Sequence, residues 1–249
     1  MIIRYLLAAL VAGLIAGAVQ TVVQHAKVIP LILEAEKYEG GGETHEHAAG
    51  LQLSIVSKAQ AQDATPETTP AAPAAAEEEE EGGMLFGVNR TVGTLMANLV
   101  TGAGFALLLM AAVVVTGRSL TLANGALWGA AAWLTFQLMP SVGLPPELPG
   151  FPAAELFDRQ VWWIGTAIAT AVALYLIVLR KEPVAKAAGV VLMLVPHVIG
   201  APQPADITSN VPAVLAAEFA VATLSAGLLF WVVLGLAMGA INDRWVKTA

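Results

Sequence analysis

Long apolar runs are the feature that most constrains this chain. The stretch YLLAALVAGLIAGAV, residues 5–19, carries no charge at all. Further apolar runs cover residues 92–116, 120–139, 161–179, 184–199 and 211–241. Runs of roughly 20 apolar residues mark membrane-spanning helices. Only 12% of the residues are charged, against about 25% in soluble domains. The sequence therefore predicts an all-α fold, a polytopic transmembrane helix bundle.

The distribution of basic residues favours six spans with both termini in the cytoplasm, because cytoplasmic loops carry an excess of Lys and Arg. That arrangement places one set of cations inside: Arg4, Arg118, Arg180, Lys181, Lys186, Arg244 and Lys247. Five spans are the alternative, because residues 184–199 are short, contain Pro196 and could form a re-entrant hairpin. We expect a first span at 1–24, retained rather than cleaved as a signal peptide, five more helices within 92–241, and a cytoplasmic tail at 242–249.

Residues 25–91 form a hydrophilic insert that the six-span arrangement places outside. PLILEAEKYE, residues 30–39, has helical spacing and could continue the first helix. Residues 59–83 have no aromatic side chain and end in five glutamates and two glycines. Such a composition buries too little apolar surface to offset the entropy lost on ordering. We therefore expect a disordered linker at 59–83.

The start of the insert, EAEKYEGGGETHEH, is the first candidate metal-binding segment. It contains the carboxylates Glu34, Glu36 and Glu39, followed by His45 and His47. Imidazole with carboxylate suits Co²⁺, Ni²⁺, Cu²⁺ or Zn²⁺, and the residue types alone do not choose among these metals. A solvated segment with no metal is the alternative.

Two proline-rich stretches carry further candidate ligands. His197 lies in VPHVIGAPQP, where Pro196 removes a helical hydrogen bond, and broken helices at membrane edges hold ions in transporters. Glu147 lies in GLPPELPG, whose prolines hold it in a stiff frame. The alternatives are a capping histidine and a rigid loop that only shapes the bundle. Asp158 and Arg159, which follow, are expected to form a structural ion pair.

Five polar side chains fall inside the predicted spans and could line a path from the outside: Gln20, Gln24, Asn98, Gln137 and Glu218. Polar and ionisable residues in a span are costly and usually face a bundle interior or a wet cavity. Hydrogen bonds between helices are the alternative for the amides, and a protonated structural carboxyl is the alternative for Glu218.

Three G-x-x-x-G pairs, Gly13/Gly17, Gly125/Gly129 and Gly235/Gly239, predict close helix packing in a compact bundle or a homo-oligomer. The chain lacks cysteine, a G-x-x-x-x-G-K-[ST] motif, H-E-x-x-H and G-x-S-x-G. Common ATP-binding, metalloprotease and hydrolase signatures are therefore missing, and no basic patch indicates nucleic acid.

Several motifs resemble the CbtA family of predicted cobalt transporter subunits. These are PLILEAEKYE after the first span, GLPPELPG before RQVWW, PHVIGAPQP and the final FWVVLGLAMG, in that order over nearly the whole chain. The resemblance implies a bacterial inner-membrane protein, associated with cobalt supply for cobalamin synthesis. It also implies a small one-span partner, CbtB, with a histidine-rich tail. By motif, Glu34, Glu36, Glu39, Glu147 and His197 match family positions, whereas His45 and His47 do not.

The leading interpretation is a cation uptake subunit, not an enzyme and without a cofactor, that takes Co²⁺ as its transported substrate. A non-transporting membrane scaffold or assembly subunit is the first alternative. A membrane enzyme that uses Glu218 and His197 as an acid–base pair is the second.

Overall fold

A computed structural model describes residues 2–39 and 89–245, and this part of the chain is helical with no β-strand. The helices are α1 (Ile2–Val23), α2 (Ile29–Glu39), α3 (Arg90–Thr116), α4 (Leu122–Trp133), α5 (Met139–Gly143), α6 (Leu156–Leu174), α7 (Pro183–Ile199) and α8 (Ala213–Trp245). A π-helical turn joins α1 to α2 (Gln24–Val28), another joins α4 to α5 (Leu134–Leu138), and a third extends α6 (Tyr175–Leu179). The predicted linker at 59–83 lies outside the described residues.

The prediction of a polytopic helical bundle is confirmed. In the described ranges 2–39 and 89–245, four helical segments are long and apolar enough to cross a membrane: Ile3–Tyr38, Arg90–Thr116, Leu156–Leu179 and Ala213–Arg244. Helix α7, with 17 residues, is a shorter apolar helix. Large apolar side chains such as Val100 and Val115 point outward and are 74% and 86% exposed. Soluble monomers rarely expose broad apolar surface, so these sides of the bundle suit a lipid environment.

The first helix continues into the insert, as its spacing predicts, but through a wider turn. The N–H of Ile29 bonds to the carbonyl of Gln24, five residues earlier, and Pro30 follows directly. The N–H of Met139 likewise bonds to the carbonyl of Leu134, directly before Pro140. A proline ring clashes with the carbonyl four residues earlier in a regular α-helix. The wider turn moves that carbonyl away, so each helix passes its proline without breaking.

Successive helical segments run in alternating directions. Arg90, the first residue of α3, pairs with Glu36 near the end of α2 at 3.2 Å, so α3 runs antiparallel to the first segment. Asn242 near the end of α8 donates to the carbonyl of Leu120, just before α4, at 3.2 Å. At the start of α6, Trp162 donates to the carbonyl of Pro196, near the end of α7, at 3.3 Å. We call the end with Glu36, Arg90 and residues 144–155 the insert end, and the opposite end the tail end.

All three G-x-x-x-G pairs are used within the bundle. Gly13 lies against the backbone of Gly102, so α1 and α3 touch through their main chains. Gly235 of α8 meets the backbone of Gly125 of α4, and Gly129 meets that of Trp231. The predicted compact bundle is thus confirmed. Between these contacts lies a core of small and aromatic side chains around Trp231, which is 1% exposed.

Replacing Gly235 by leucine should destabilise the bundle far more than the same change at Gly104. A side chain at Gly235 would overlap the backbone of Gly125, whereas nothing lies within 4 Å of the position at Gly104. We expect Gly235→Leu to lower the free energy of unfolding in detergent by about 3 kcal/mol or more, the upper part of the range for overpacking. Gly104→Leu should leave it nearly unchanged. Equal stability of the two variants would contradict the described α4–α8 contact.

Candidate functional site

A proline-rich loop closes the insert end of the bundle. Leu148 of the GLPPELPG loop is 3% exposed and packs in an apolar cluster with Val28, Ala35 and Phe219. This contact brings Glu147 to the same end as Glu34 and Glu36, which flank Ala35 in the sequence. The hydroxyl of Ser209 donates to the carbonyl of Gly150 at 2.9 Å and ties the loop before α8 to the same surface. The carboxylates predicted from separate motifs therefore share one end of the protein.

Each of these carboxylates has a basic partner. Glu34 pairs with Lys37 at 2.7 Å within α2. Glu36 pairs with Arg90 at 3.2 Å and Glu147 with Arg159 at 3.0 Å, and the carboxylate side chains are 37% and 29% exposed. The Glu36–Arg90 and Glu147–Arg159 pairs are partly solvated, and each links two different segments of the insert end.

The prediction of an ion pair between Asp158 and Arg159 is wrong. The guanidinium of Arg159 bonds instead to Glu147, twelve residues earlier in the chain. Adjacent residues on a helix do not face each other, so Asp158 and Arg159 of α6 point in different directions. The partner of Arg159 is set by how the proline-rich loop packs.

His197 lies where the end of α7 meets the start of α6. Its ring makes an edge contact with Trp162, with centroids 5.9 Å apart and planes at 69°. Both ring nitrogens are buried and have no hydrogen-bond partner among the described residues. Buried polar groups are normally hydrogen-bonded. Neither ring nitrogen of His197 is therefore engaged by another described residue. The helix that carries it is held to α6 by the bond from Trp162 to the carbonyl of Pro196.

The described residues do not assemble a complete metal site. Within 2–39 and 89–245, no group of three or more His, Asp or Glu side chains could hold a metal ion. His45 and His47 lie outside the described residues, and so does the side chain of Glu39. The metal-ligand prediction for Glu34, Glu36, Glu39, Glu147, His45, His47 and His197 therefore stays a prediction.

Beneath the insert end, within the bundle, lies a group of polar side chains that we call the polar layer: Gln20, Thr21, Gln24, Asn98, Gln137 and Thr223. The amide of Asn98 on α3 donates to the hydroxyl of Thr21 at 3.0 Å and to the carbonyl oxygen of Gln24 at 2.6 Å. The alternative of hydrogen bonds between helices is therefore confirmed for Asn98 and Gln24. By contrast, the buried Oε1 atoms of Gln20 and Gln137 have no partner among the described residues.

The two π-turns that precede Pro30 and Pro140 both contact α8. The amide of Gln137 lies directly against Gly227, where any side chain would overlap it. Thr223, one turn away on α8, has a buried hydroxyl without a partner in the described structure. His25, on the first π-turn, has a buried Nε2 in the same condition. Sequence reasoning missed Thr21, Thr223 and Gly227.

Glu218 lies outside the polar layer. It is exposed on α8 and lines a shallow cavity of about 510 Å³ together with Lys27 and Leu31 of the first helical segment. The ammonium group of Lys27 provides a positive charge in the lining of the same cavity. Glu218 therefore lies on the flank of the bundle rather than among the amides.

A further negative charge is fixed in the loop before α8. The backbone N–H of Thr208 donates to Asp206 Oδ1 at 2.9 Å. This bond, followed by that of the Thr208 hydroxyl, holds the pKa of Asp206 below its usual value. The carboxylate therefore keeps its charge in mildly acidic medium.

These features define a polytopic helical membrane protein with partly exposed carboxylates at one end and a polar layer inside. The chain belongs to the CbtA family, described as a probable cobalt transporter subunit, whose family model matches residues 2–243. The resemblance carried by the four motifs is thereby confirmed. Neither the search of curated proteins nor that of solved structures gave a match.

Exchanging the charges of Glu147 and Arg159 should preserve their contact. The single variants Glu147→Arg and Arg159→Glu each place like charges together, and each should lower the free energy of unfolding by about 1 kcal/mol. The double variant should recover most of that loss, and Asp158→Asn should have no effect. Thermal unfolding in detergent measures all four. A double variant no more stable than the single ones would show that the two side chains are not coupled.

Proposed function

We propose that this chain is the membrane subunit that takes up Co²⁺, with its insert end facing the periplasm of a bacterial inner membrane. Membership of the CbtA family supports the class of transport. The observation that carries the proposal is that two buried amide oxygens, on Gln20 and Gln137, have no donor among the residues that the structure describes. Oxygen atoms of this kind can replace the water around a passing cation.

The first step is capture at the insert end. The proposed ligands are His197 with Glu147, Glu34, Glu36 and Glu39, and His45 and His47 act as auxiliary collectors. The ion pairs of Glu36 and Glu147 do not prevent this step, because partly exposed ion pairs are worth only about 1 kcal/mol or less. Arg90 and Arg159 can therefore yield to a divalent cation, which attracts a carboxylate more strongly than a single positive charge does.

The second step is passage through the polar layer. Gln20 and Gln137 offer neutral ligands beside the hydrogen-bonded pair of Gln24 and Asn98, and conduction requires binding weak enough for the ion to leave. The Asn98–Gln24 bond holds the sides of the layer together, while the acceptors of Gln20 and Gln137 receive the ion. Glu218 acts at the flank with Lys27, as a contributor to the local field rather than a ligand in line.

Six crossings with both termini in the cytoplasm fit the alternation of the helical segments. The tail end then holds the cations Arg118, Arg180, Lys181 and Lys186, in agreement with the positive-inside rule. The proposed partner is the small single-span subunit with a histidine-rich tail that the family resemblance implies. That partner would deliver or draw off the ion in the assembled transporter.

A non-transporting scaffold is the second candidate. The ion pairing of the described carboxylates, without a three-ligand group, favours it. An enzyme with Glu218 and His197 as an acid–base pair gains no support, because Glu218 lines a cavity with Lys27 whereas His197 packs on Trp162.

Cobalt accumulation tests the capture step. In bacteria without their own cobalt uptake, the chain expressed with its one-span partner should accumulate radioactive Co²⁺. We expect His197→Ala and Glu147→Gln each to reduce the initial rate about tenfold or more, since about 1.4 kcal/mol of lost ion binding is tenfold. Glu155→Gln is the matched control, since this exposed residue directly precedes α6 and its side chain makes no capping hydrogen bond there. Uptake by the control should equal that of the wild type.

The outcomes separate the candidates when membrane levels are equal. Loss of uptake in both variants but not in Glu155→Gln would support capture at the insert end. Full uptake in His197→Ala would remove that residue from the site. If no combination accumulates cobalt while the protein is properly inserted, the scaffold candidate is favoured instead.

The polar layer has its own test in the same assay. Gln137→Leu keeps the side-chain size but removes the buried oxygen, so the rate of uptake should fall while surface binding of Co²⁺ at 4 °C is retained. Gln203→Leu, an exposed change in the loop before α8, is the control. Unchanged transport by Gln137→Leu would place the ion path elsewhere.

A further inference from the structure

An amphipathic groove opens on the flank of the bundle between α3, α4 and the end of α6. Its volume is about 560 Å³. The walls are apolar and include Leu108 and Leu109 of α3, Leu127 of α4, Leu174 of α6 and Val178 of the turn that extends α6. Leu127 and Val178 are 73% and 68% exposed, so the groove opens sideways, toward the hydrocarbon of a membrane.

The polar residues of the groove are concentrated toward its tail end. Asn124 donates to the carbonyl of Ser119 at 2.9 Å and accepts from the N–H of Thr121 at 2.8 Å, so its amide is engaged. The hydroxyl of Thr116 is bonded to the carbonyl of Ala112. Arg118 is the charged residue of the lining, and it is exposed without an ion pair in the described part of the chain.

A groove with apolar walls and a single unpaired guanidinium at one end matches an amphiphile with a negative head. Basic side chains at the cytoplasmic edge of membrane helices bind anionic lipid headgroups. The volume lies in the usual range of ligand pockets, about 300–1,000 Å³. It is far below the roughly 2,400 Å³ that a 20-residue helix fills at a diameter of about 10 Å and a length of about 30 Å. An acyl chain fits this space better than a partner helix.

We propose that the groove holds one anionic phospholipid of the bilayer. An acyl chain of this lipid lies along α4, and the phosphate of the lipid lies at Arg118. The proposed headgroup position lies at the end opposite the insert end, whereas the far end of the groove reaches Thr135 and Phe136 of the second π-turn. A lipid there would fill the gap between α3 and α6 beside the α4–α8 contact and so support the tail end of the bundle.

Trp128 lines the groove and provides the readout. The purified chain in detergent is titrated with phosphatidylglycerol or phosphatidylcholine brominated on the acyl chain, and tryptophan fluorescence is recorded. A Trp128→Phe variant identifies the share of quenching due to this residue. We expect brominated phosphatidylglycerol to quench Trp128 at a concentration at least tenfold lower than brominated phosphatidylcholine.

The headgroup contact is tested by substitutions that remove or keep the positive charge. Arg118→Gln should abolish the tenfold preference, whereas Arg118→Lys should keep most of it. Lys186→Gln is the matched control, because Lys186 is exposed at the tail end on α7, outside the groove lining. Inorganic phosphate at constant ionic strength should not displace the lipid, since it lacks the acyl chain.

Three results would overturn the proposal. Equal quenching by the two lipids would show a groove with no preference for a negative head. A preference that survives Arg118→Gln would place the headgroup elsewhere. Displacement by inorganic phosphate alone would indicate a simple anion site without an acyl component.

Discussion

The direct contact of main chains at glycine is the constraint on which the rest of this structure depends. Lipid tails are as apolar as leucine, so helices in a membrane gain little from burying apolar surface and rely on close packing. Gly125, Gly129 and Gly235 let α8 lie against α4, while Gly13 and Gly102 bring α1 against α3. Helix α8 also packs on α1 and thereby joins the two pairs. The polar layer, the insert end and the lateral groove all take their positions from these contacts.

Two prolines then determine where the polar layer can form. Pro30 and Pro140 each follow a π-turn, and those turns carry Gln24 and Gln137. Single π-turns inside helices are frequently found at functional sites. Here both contact α8, and Gly227 leaves the space that the Gln137 amide occupies. Stable packing and an interior lined with amide oxygens thus arise from the same few positions.

Much of the fold could be predicted because apolar runs and breakers are local signals. The starts of α3 and α7 lie within two residues of the predicted ones, whereas α6 begins at Leu156 instead of residue 161. The polar residues of its first turn hide this start in an apolar-run analysis, although Asp158 is favourable at a helix N-terminus. The shared location of Glu36, Glu147 and His197 at one end also followed from topology. The ion-pair partners of Glu36 and Glu147 could not be predicted, because Arg90 and Arg159 reach these carboxylates only through tertiary packing. The burial of the Thr223 hydroxyl could not be predicted either, since a lone threonine in an apolar helix gives no signal.

Capture of external cobalt requires the insert end to face the side from which the ion is drawn, and the absence of cysteine makes this orientation directly measurable. Single cysteines at Ile207, 77% exposed in the loop before α8, and at Lys181, exposed between α6 and α7, would be treated with a membrane-impermeant maleimide. In cells whose outer membrane is permeabilised, we predict labelling of Ile207→Cys, and labelling of Lys181→Cys only after the inner membrane is lysed. The reverse pattern would place the carboxylates and His197 in the cytoplasm and contradict capture of external cobalt at this end.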